Sequence, residues 1–157
     1  MENKINYRLG DATHPVGRDN KILVHICNDV GGWGRGFVLA LSNKWEQPER
    51  EYLNWYQSQK DFELGNVQFV EVENNLLVAN VIGQRNVVAQ DSIPPIRYQA
   101  VKEGLRKVAE KAIETNASVH MPRIGAGLAG GEWEKIEAII ISELIDKGLK
   151  VTVYDFK

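Results

Sequence analysis

The chain has 157 residues, enough for one domain with an ordinary apolar core, and its composition is that of a globular protein. Its formal net charge of −2 at pH 7 gives no basic field of the kind that nucleic-acid-binding proteins present. The single cysteine, Cys27, excludes an internal disulfide and a cysteine-rich zinc site. No apolar run approaches the roughly 20 residues of a membrane span, and the N-terminal residues lack a secretory signal. We therefore expect one cytoplasmic domain over residues 1–157, with no membrane partner.

Apolar runs bounded by glycine, proline and polar residues predict alternating strands and helices. The expected strands are Ile5–Leu9, Ile22–Cys27, Val67–Val72, Leu76–Ile82, Val119–Met121 and Val151–Phe156. The expected helices are Gly36–Trp45, Pro48–Gln59, a long helix that Pro95 precedes and that runs to Glu114, and Trp133–Asp146, the last ended by Gly148. The runs ILVHIC and LLVANVI are almost continuously apolar, which is typical of central strands covered on both faces. The pattern predicts an α/β fold with a mixed, mainly parallel sheet between helical layers.

Two glycine-rich loops follow predicted strands and indicate a site for an anion. The first reads NDVGGWGRGF over residues 28–37, and the second lies in MPRIGAGLAGGEWE over residues 121–134. Such turns direct backbone N–H groups into a small volume, and the dipole of the helix that begins at Trp133 would add to the attraction. Ligands of open α/β sheets lie beyond the carboxyl ends of the strands. We therefore expect a phosphate or pyrophosphate between the two loops.

Several polar or aromatic residues have both a structural and a functional interpretation. His25 is either a hydrogen-bonded core histidine or a general acid or base facing a cleft. Asp91, in the loop QDSIPP, either leads into a helix or activates a water molecule. Arg123 either pairs with a phosphate or is a structural charge. Trp33, between glycines, is expected to cover a ligand or to form a lid, and not to be a core residue. Cys27 is expected to be an inert, buried thiol.

Four short motifs resemble those of the macrodomain family: GDAT at 10–13, HICN at 25–28, GGWGRG at 31–36 and MPRIGAGLAGG at 121–131. The resemblance spans nearly the whole chain. It is strongest to the branch that holds terminal ADP-ribose protein glycohydrolase and yeast-type ADP-ribose 1''-phosphate phosphatase. It implies a three-layer α/β/α sandwich around a mixed six-stranded sheet, with ADP-ribose as the ligand.

The resemblance also implies a role for individual residues. Asp11 would accept a hydrogen bond from the adenine amino group, although Gly-Asp is also ordinary turn chemistry. Ala12 would lie beside Asp11, and Phe156 would pack against adenine. The residues expected around the distal ribose are Asn28, Gly32, Trp33, Gly34, Gly36 and Phe37. Those expected to hold the diphosphate are Gly125, Ala126, Gly127, Leu128 and Ala129. Gln84, Arg123 and Ile124 are also expected among the ligand-binding residues.

The sequence departs from the glycohydrolase relative at two positions. Gln84 stands at or next to the position of its lysine, and Ala129 stands at the position of its aspartate. An amide cannot act as an amine nucleophile, and a methyl group cannot act as a base, so the lysine-dependent reaction is disfavoured. Phosphatase-type relatives carry a histidine at the position of His25. The leading prediction is therefore hydrolysis of the C1'' substituent on the distal ribose, a phosphate first of all, with His25 as acid or base and Asp91 activating water.

Three other functions remain open at this point. The chain is a non-catalytic reader of ADP-ribose, an O-acetyl-ADP-ribose hydrolase, or an enzyme that removes ADP-ribose from a modified macromolecule. The expected partners are ADP-ribose or its derivatives, and an ADP-ribosylated macromolecule under the last alternative. No motif requires a metal or another cofactor, so none is expected.

Overall fold

A six-stranded mixed sheet forms the centre of the molecule, in the order β1-β6-β5-β2-β4-β3. The computed structural model describes residues 4–127 and 129–156. The strands are β1 Asn6–Leu9, β2 Asn20–Asn28, β3 Val67–Glu73, β4 Leu76–Gln84, β5 Ala117–Met121 and β6 Val151–Asp155. Neighbouring strands are parallel except β3, which is antiparallel to β4. The predicted mixed, mainly parallel sheet is confirmed.

Helices cover both faces of this sheet. They are α1 Phe37–Lys44, α2 Gln47–Ser58, α3 Tyr98–Thr115 and α4 Trp133–Glu143, followed by a 3₁₀ turn at Ile145–Lys147. Helix α3 contacts β2, β4, β5 and α4, whereas α2 contacts β3, β4 and α1. The result is the expected three-layer α/β/α arrangement.

The central strand β2 shows why the sequence gives this arrangement. Ile22 and Val24 are buried in the core beneath α3 and α4, and Leu23, between them, is buried in the core beneath α1 and α2. Side chains alternate between the two faces of a strand, so a strand covered on both sides needs apolar residues at consecutive positions. Cys27 is a buried free thiol in the second core, as expected.

The structure refines two helix boundaries. Helix α3 follows Pro95, as expected, but begins only at Tyr98, because residues 94–97 first run beside the end of β4. Arg85 N donates to Pro95 O at 2.8 Å, and Arg97 N donates to Gly83 O at 2.9 Å. Helix α4 ends at Glu143 and continues only as the 3₁₀ turn, which Gly148 terminates with a left-handed φ of 83°. No helix in the two described ranges is long and apolar enough to cross a membrane.

The carboxyl ends of the five parallel strands lie at the same edge of the sheet. Strand β2 leads there into the first loop, residues 28–37, and β5 leads into the second loop, residues 122–132. Since β2 and β5 are adjacent and parallel, the two glycine-rich loops lie next to each other. The sequence expectation on this point is confirmed.

Candidate functional site

Three adjoining cavities form one cleft along this edge of the sheet. The central cavity, about 270 Å³, lies between the two loops. The Asp11 cavity, about 700 Å³, adjoins it on one side, and the Asn28 cavity, about 340 Å³, adjoins it on the other. The cavities are joined through shared lining residues, which are Phe37 and Pro122 on the Asp11 side and Ile26, Arg35, Val38 and Gln84 on the Asn28 side. The cleft can therefore accommodate an elongated ligand.

Most of the residues singled out in the sequence line this cleft. In the Asp11 cavity these residues are Asp11, Ala12, Phe37 and Phe156. In the central cavity they are His25, Gly36, Phe37, Gln84, Arg123, Ile124, Gly125, Gly127 and Ala129. In the Asn28 cavity they are Asn28, Gly32, Trp33, Gly34 and Gln84. Ala126 lies in the second loop but lines none of the three cavities, and Leu128 lies outside the described residues. Their roles as ligand contacts stay predictions.

The amide of Asn28 holds the first loop in shape. Its Oδ1 accepts hydrogen bonds from Val30 N at 3.0 Å and Gly32 N at 2.9 Å, and its Nδ2 donates to Gly32 O at 2.7 Å. The hydroxyl of Tyr52 lies 2.9 Å from Asn28 Oδ1 and 2.7 Å from Asn28 O. These contacts occupy Oδ1 and one amide hydrogen, so the side chain serves chiefly to build the loop.

Trp33 is a core residue, which corrects the expectation that it covers the ligand. Its side chain is 7% exposed and packs edge-on against His25 and at a tilt against Tyr52, with ring centroids 5.4 and 5.3 Å apart. Its Nε1 donates to Ser42 Oγ at 2.7 Å. A large ring so enclosed cannot also swing over a ligand as a lid. The flanking glycines let the loop turn inward so that the indole reaches the core.

The second loop is held by its own backbone. Gly131 N donates to Gly125 O at 2.7 Å, and Gly130 N donates to Gly127 O at 3.0 Å. Within the described part of the chain, the N–H groups of Gly125, Gly127 and Ala129 donate to no other residue, and all three residues line the central cavity. Gly125 has a left-handed φ of 72°, and a Cβ there would lie within 3 Å of a side chain. The loop therefore presents backbone donors of the kind that bind phosphate oxygens.

The helix whose N-terminus faces the cavity is α1. Gly36, Phe37 and Val38, at the start of α1, line the central cavity, whereas Glu132 and Trp133, at the start of α4, do not. The sequence favours α4 as the source of the helix dipole, whereas the helix start that lines the cavity is that of α1. The first N–H groups of a helix have no partner within the helix, so α1 adds donors and a partial positive charge to the same cavity.

Asp11 is a turn residue that also lines the cleft. Its Oδ1 accepts hydrogen bonds from Thr13 N at 2.9 Å and Thr13 Oγ1 at 2.7 Å, and Oδ2 lies 3.2 Å from His14 Nδ1. Partial burial raises the pKa of the Asp11 carboxyl, but the Thr13 hydrogen bonds and the nearby His14 lower it more, so the net shift is downward. The group is thus an ionised acceptor. Phe156, 81% exposed, lies on the same cavity.

His25 lies on the floor of the central cavity and is 2% exposed. Both amide hydrogens of Asn80 are used, towards Pro48 O at 3.2 Å and Gln68 Oε1 at 3.0 Å, so Asn80 Oδ1 accepts. His25 Nε2, 2.5 Å from this oxygen, must therefore carry the ring proton. Nδ1 then has a lone pair, and it has no hydrogen-bond partner among the described residues.

Burial keeps the His25 ring neutral, which bears on the acid or base role expected for it. Burial lowers its pKa to about 4, although the Asn80 hydrogen bond opposes the shift. At neutral pH the ring has no second proton to give, and its one N–H is committed to Asn80. The remaining chemistry lies at Nδ1, itself a buried atom, which can accept a hydrogen bond or, as a weak base, a proton.

Asp91 does not lie in the cleft, which corrects its expected role in activating water. It is exposed, has a left-handed φ of 52°, and forms the tip of a turn in which Gln90 and Ile93 exchange backbone hydrogen bonds. It lines none of the three cavities. Gln84, by contrast, lines two of them, and its Nε2 donates to Asn86 O at 3.0 Å.

The two arginines of the cleft have different environments. Arg123 donates from Nε and Nη2 to the two carboxylate oxygens of Asp155, at 2.5 and 3.0 Å, and lies over the rings of Tyr7 and Trp133. The Asp155 hydrogen bonds raise the pKa of the guanidinium. Of the two interpretations of Arg123, the structural charge therefore accounts for its contacts. Arg35 makes no ion pair or hydrogen bond with any described residue, and it lines two cavities.

Sequence reasoning missed several cleft residues. Arg35 had a usable signal, since it is a cation placed within a glycine-rich loop. Lys44 and Thr13 gave none, because their proximity is tertiary: Lys44 Nζ donates to Thr13 O at 2.6 Å beside the Asp11 cavity. The described residues include no cluster of three His, Cys, Asp or Glu side chains that could hold a metal ion.

Solved structures with the same fold match almost the full length of the chain. A protein of unknown function from Bacteroides thetaiotaomicron is 58% identical with a TM-score of 0.97, and 98% of each chain is covered. A macrodomain protein from Streptomyces coelicolor is 49% identical with a TM-score of 0.86, covering 97% of this chain and 99% of that one. Thermosipho africanus DarTG in complex with ADP-ribose shares the fold alone, at 18% identity and a TM-score of 0.76 over 97% of this chain and 42% of that one.

Curated relatives add two further similarities, whereas no family model matches the chain. Chromodomain-helicase-DNA-binding protein 1-like of Danio rerio is 35% identical over 98% of this chain, but the match spans only 16% of that protein's length. ADP-ribose 1''-phosphate phosphatase of Candida albicans is 29% identical over 87% of this chain and 91% of that enzyme. The second match therefore covers nearly the whole of the relative.

Proposed function

Because the chain belongs to the macrodomain family, we propose that it binds ADP-ribose, or ADP-ribose with a substituent on the distal ribose, in the cleft. The observation that carries this proposal is the continuity of the three cavities through the two glycine-rich loops. Backbone donors from the second loop and from the start of α1 meet in the middle of that cleft, where a diphosphate would need them.

The proposed orientation places adenine in the Asp11 cavity, the diphosphate in the central cavity and the distal ribose in the Asn28 cavity. The ionised Asp11 carboxylate offers acceptors only, which suits the amino group of adenine. Phe37 and Phe156 supply apolar surface on the same cavity. At the opposite end, Gln84 and the loop around Gly32 provide neutral polar groups for a ribose.

Calorimetric titration tests this proposal, with ADP-ribose compared against AMP, ADP and NAD. We expect ADP-ribose to bind in the micromolar range and more tightly than AMP or ADP, because AMP and ADP lack the distal ribose that is proposed to occupy the Asn28 cavity. Gly127→Glu should reduce the affinity by at least about 100-fold, because it puts a negative charge beside the diphosphate. A Cβ at Gly127 meets no atom of the other described residues, its chain neighbours aside, within 4 Å, so the fold should tolerate the change.

The matched control is Ile113→Glu. Ile113 is exposed near the end of α3, at the opposite edge of the sheet, and the substitution changes the net charge by the same amount. Its ADP-ribose affinity should equal that of the unchanged chain. Absence of micromolar ADP-ribose binding by the unchanged chain would contradict the proposal.

A second candidate function is hydrolysis of the phosphate from ADP-ribose 1''-phosphate. The similarity to the Candida albicans phosphatase over most of both chains supports it. The geometry gives less support: His25 is neutral and buried, and among the described residues the lining of the central and Asn28 cavities includes no Asp or Glu. Binding therefore has more structural support than catalysis.

A phosphate-release assay separates a reader from a phosphatase. Tight binding without release of phosphate supports the reader. If phosphate is released, His25→Ala should retain ADP-ribose binding and lose turnover. Unchanged turnover in that variant would remove His25 from the reaction.

A further inference from the structure

Arg35 is a cation of the cleft whose charge no described residue compensates. It precedes Gly36 at the start of α1 and lines both the central and the Asn28 cavities. The other basic side chains of the cleft have partners: Arg123 is paired with Asp155, and Lys44 donates to Thr13 O. The charge of Arg35 is therefore available to a ligand.

The carboxylate of Asp11 and the cation of Arg35 lie towards opposite ends of the cleft, so the two ends differ in the groups they can bind. Among the described residues, the lining of the central and Asn28 cavities includes no Asp or Glu, while Asp11 lies at the far end of the cleft. The Asp11 end of the cleft thus has a carboxylate suited to an amino group, with Lys44 on the same cavity, whereas the lining of the other end has the cation Arg35 and no carboxylate among the described residues. A guanidinium binds a phosphate or carboxylate through two parallel hydrogen bonds, which gives geometric selectivity as well as attraction.

We propose that Arg35 is a specificity residue that selects ligands with an anionic group on the part that enters the Asn28 cavity. This inference rests on the proposed function, since it assumes that ADP-ribose lies with adenine at Asp11 and its distal ribose at Asn28. Arg35 lines the boundary between the central and Asn28 cavities. A phosphate on the distal ribose would lie near this boundary, and therefore near Arg35. Plain ADP-ribose has no charge there to use.

The test compares ADP-ribose with ADP-ribose 1''-phosphate on three proteins. These are the unchanged chain, Arg35→Gln and the control Lys150→Gln, which removes one positive charge from an exposed residue just before β6, at the opposite edge of the sheet. Calorimetry gives the dissociation constants, and inorganic phosphate is measured in the same samples. If phosphate is released, KM for release replaces the dissociation constant of the 1''-phosphate.

We expect the unchanged chain and the control to prefer the 1''-phosphate by about tenfold or more, the range of one charge-assisted hydrogen-bonded pair. Arg35→Gln should reduce this preference to about twofold or less, while its affinity for ADP-ribose stays within about threefold. An unchanged preference in Arg35→Gln would overturn the inference. Equal weakening for both ligands would also overturn it, because Arg35 would then contact the diphosphate. If ADP-ribose does not bind the unchanged chain, the proposed function itself fails.

Discussion

The two glycine-rich loops look alike in sequence but are stabilised in different ways. Buried side chains brace the first loop, since Asn28 bonds to Val30 and Gly32, and Trp33 is anchored in the core. Backbone hydrogen bonds brace the second, with Gly125 and Gly131 closing it. Asn28 and Trp33 of the first loop are thus used for structure, and Arg35 is the side chain of this loop that remains uncompensated among the described residues, whereas the second loop leaves N–H groups available at the cavity. Glycine content alone does not show whether a loop offers a side chain or its backbone to a ligand.

Among the variants that test this contrast, Trp33→Ala is expected to change stability the most. Removing a buried indole should lower the free energy of unfolding by about 3–5 kcal/mol, as for other large aromatic truncations in cores. Urea denaturation measures the loss, and Phe156→Ala is the control because Phe156 is 81% exposed and should change little. A loss below about 1 kcal/mol would mean that Trp33 is not part of the framework.

Each buried histidine taken singly gives the next largest effect, through pH. Burial lowers the pKa of His25 and of His120 to about 4, while an unfolded histidine has a pKa near 6.5. Between these values the unfolded chain binds more protons than the folded one, so stability is full above pH 6.5 and falls as the pH drops towards 4. The loss is at most roughly 3 kcal/mol per histidine.

Urea denaturation at a series of pH values between 7 and 4 measures this slope. His120→Phe should remove about half of it, since only His25 then contributes. A flat stability curve across this range in the unchanged chain would contradict the neutral, buried state assigned to both rings.

Within the second loop, two glycines should respond differently to alanine. Gly125→Ala should destabilise the fold by about 1–2 kcal/mol, because φ is 72° and the new Cβ would lie 2.8 Å from Ile96 Cδ1. Gly127→Ala should change stability by less than about 0.5 kcal/mol, because nothing lies within 4 Å of its Cβ position. Thermal denaturation of the two variants measures both effects, and equal losses would contradict the backbone bracing described here.

The smallest effect is expected for the Arg123–Asp155 pair. Both side chains are partly exposed, so the double variant Arg123→Gln, Asp155→Asn should lose no more than about 1 kcal/mol of stability. Its ADP-ribose affinity should stay within about threefold, because the guanidinium is already committed to Asp155. A much larger loss of affinity would show that Arg123 contacts the ligand.

The strand and loop order could be predicted from sequence because it depends on local patterns. Continuous apolar runs identified β2 and β4, and the glycine-rich segments after β2 and β5 identified the two loops. What could not be predicted depends on tertiary contacts. The residues next to Trp33 in the sequence do not indicate that its side chain contacts Ser42 and Tyr52.

The same limit applies to the polar residues of the site. Asp91 was assigned to the cleft because it follows β4, but the chain turns outward between Gln90 and Ile93 before it returns along β4. The tautomer of His25 depends on Asn80 and Gln68, which are distant in sequence. The sequence motifs thus indicate where the cleft lies. The protonation states and the hydrogen-bond partners of its side chains depend on contacts that are visible only in the folded structure.

Residue-resolved NMR during titration with ADP-ribose tests the central claim most directly. The account predicts saturable changes in the amide signals of Gly36, Gly125, Gly127 and Ala129, with Ile113 at the opposite edge unaffected. Saturable binding that leaves the second-loop amides unchanged, or perturbs only the opposite edge of the sheet, would contradict it.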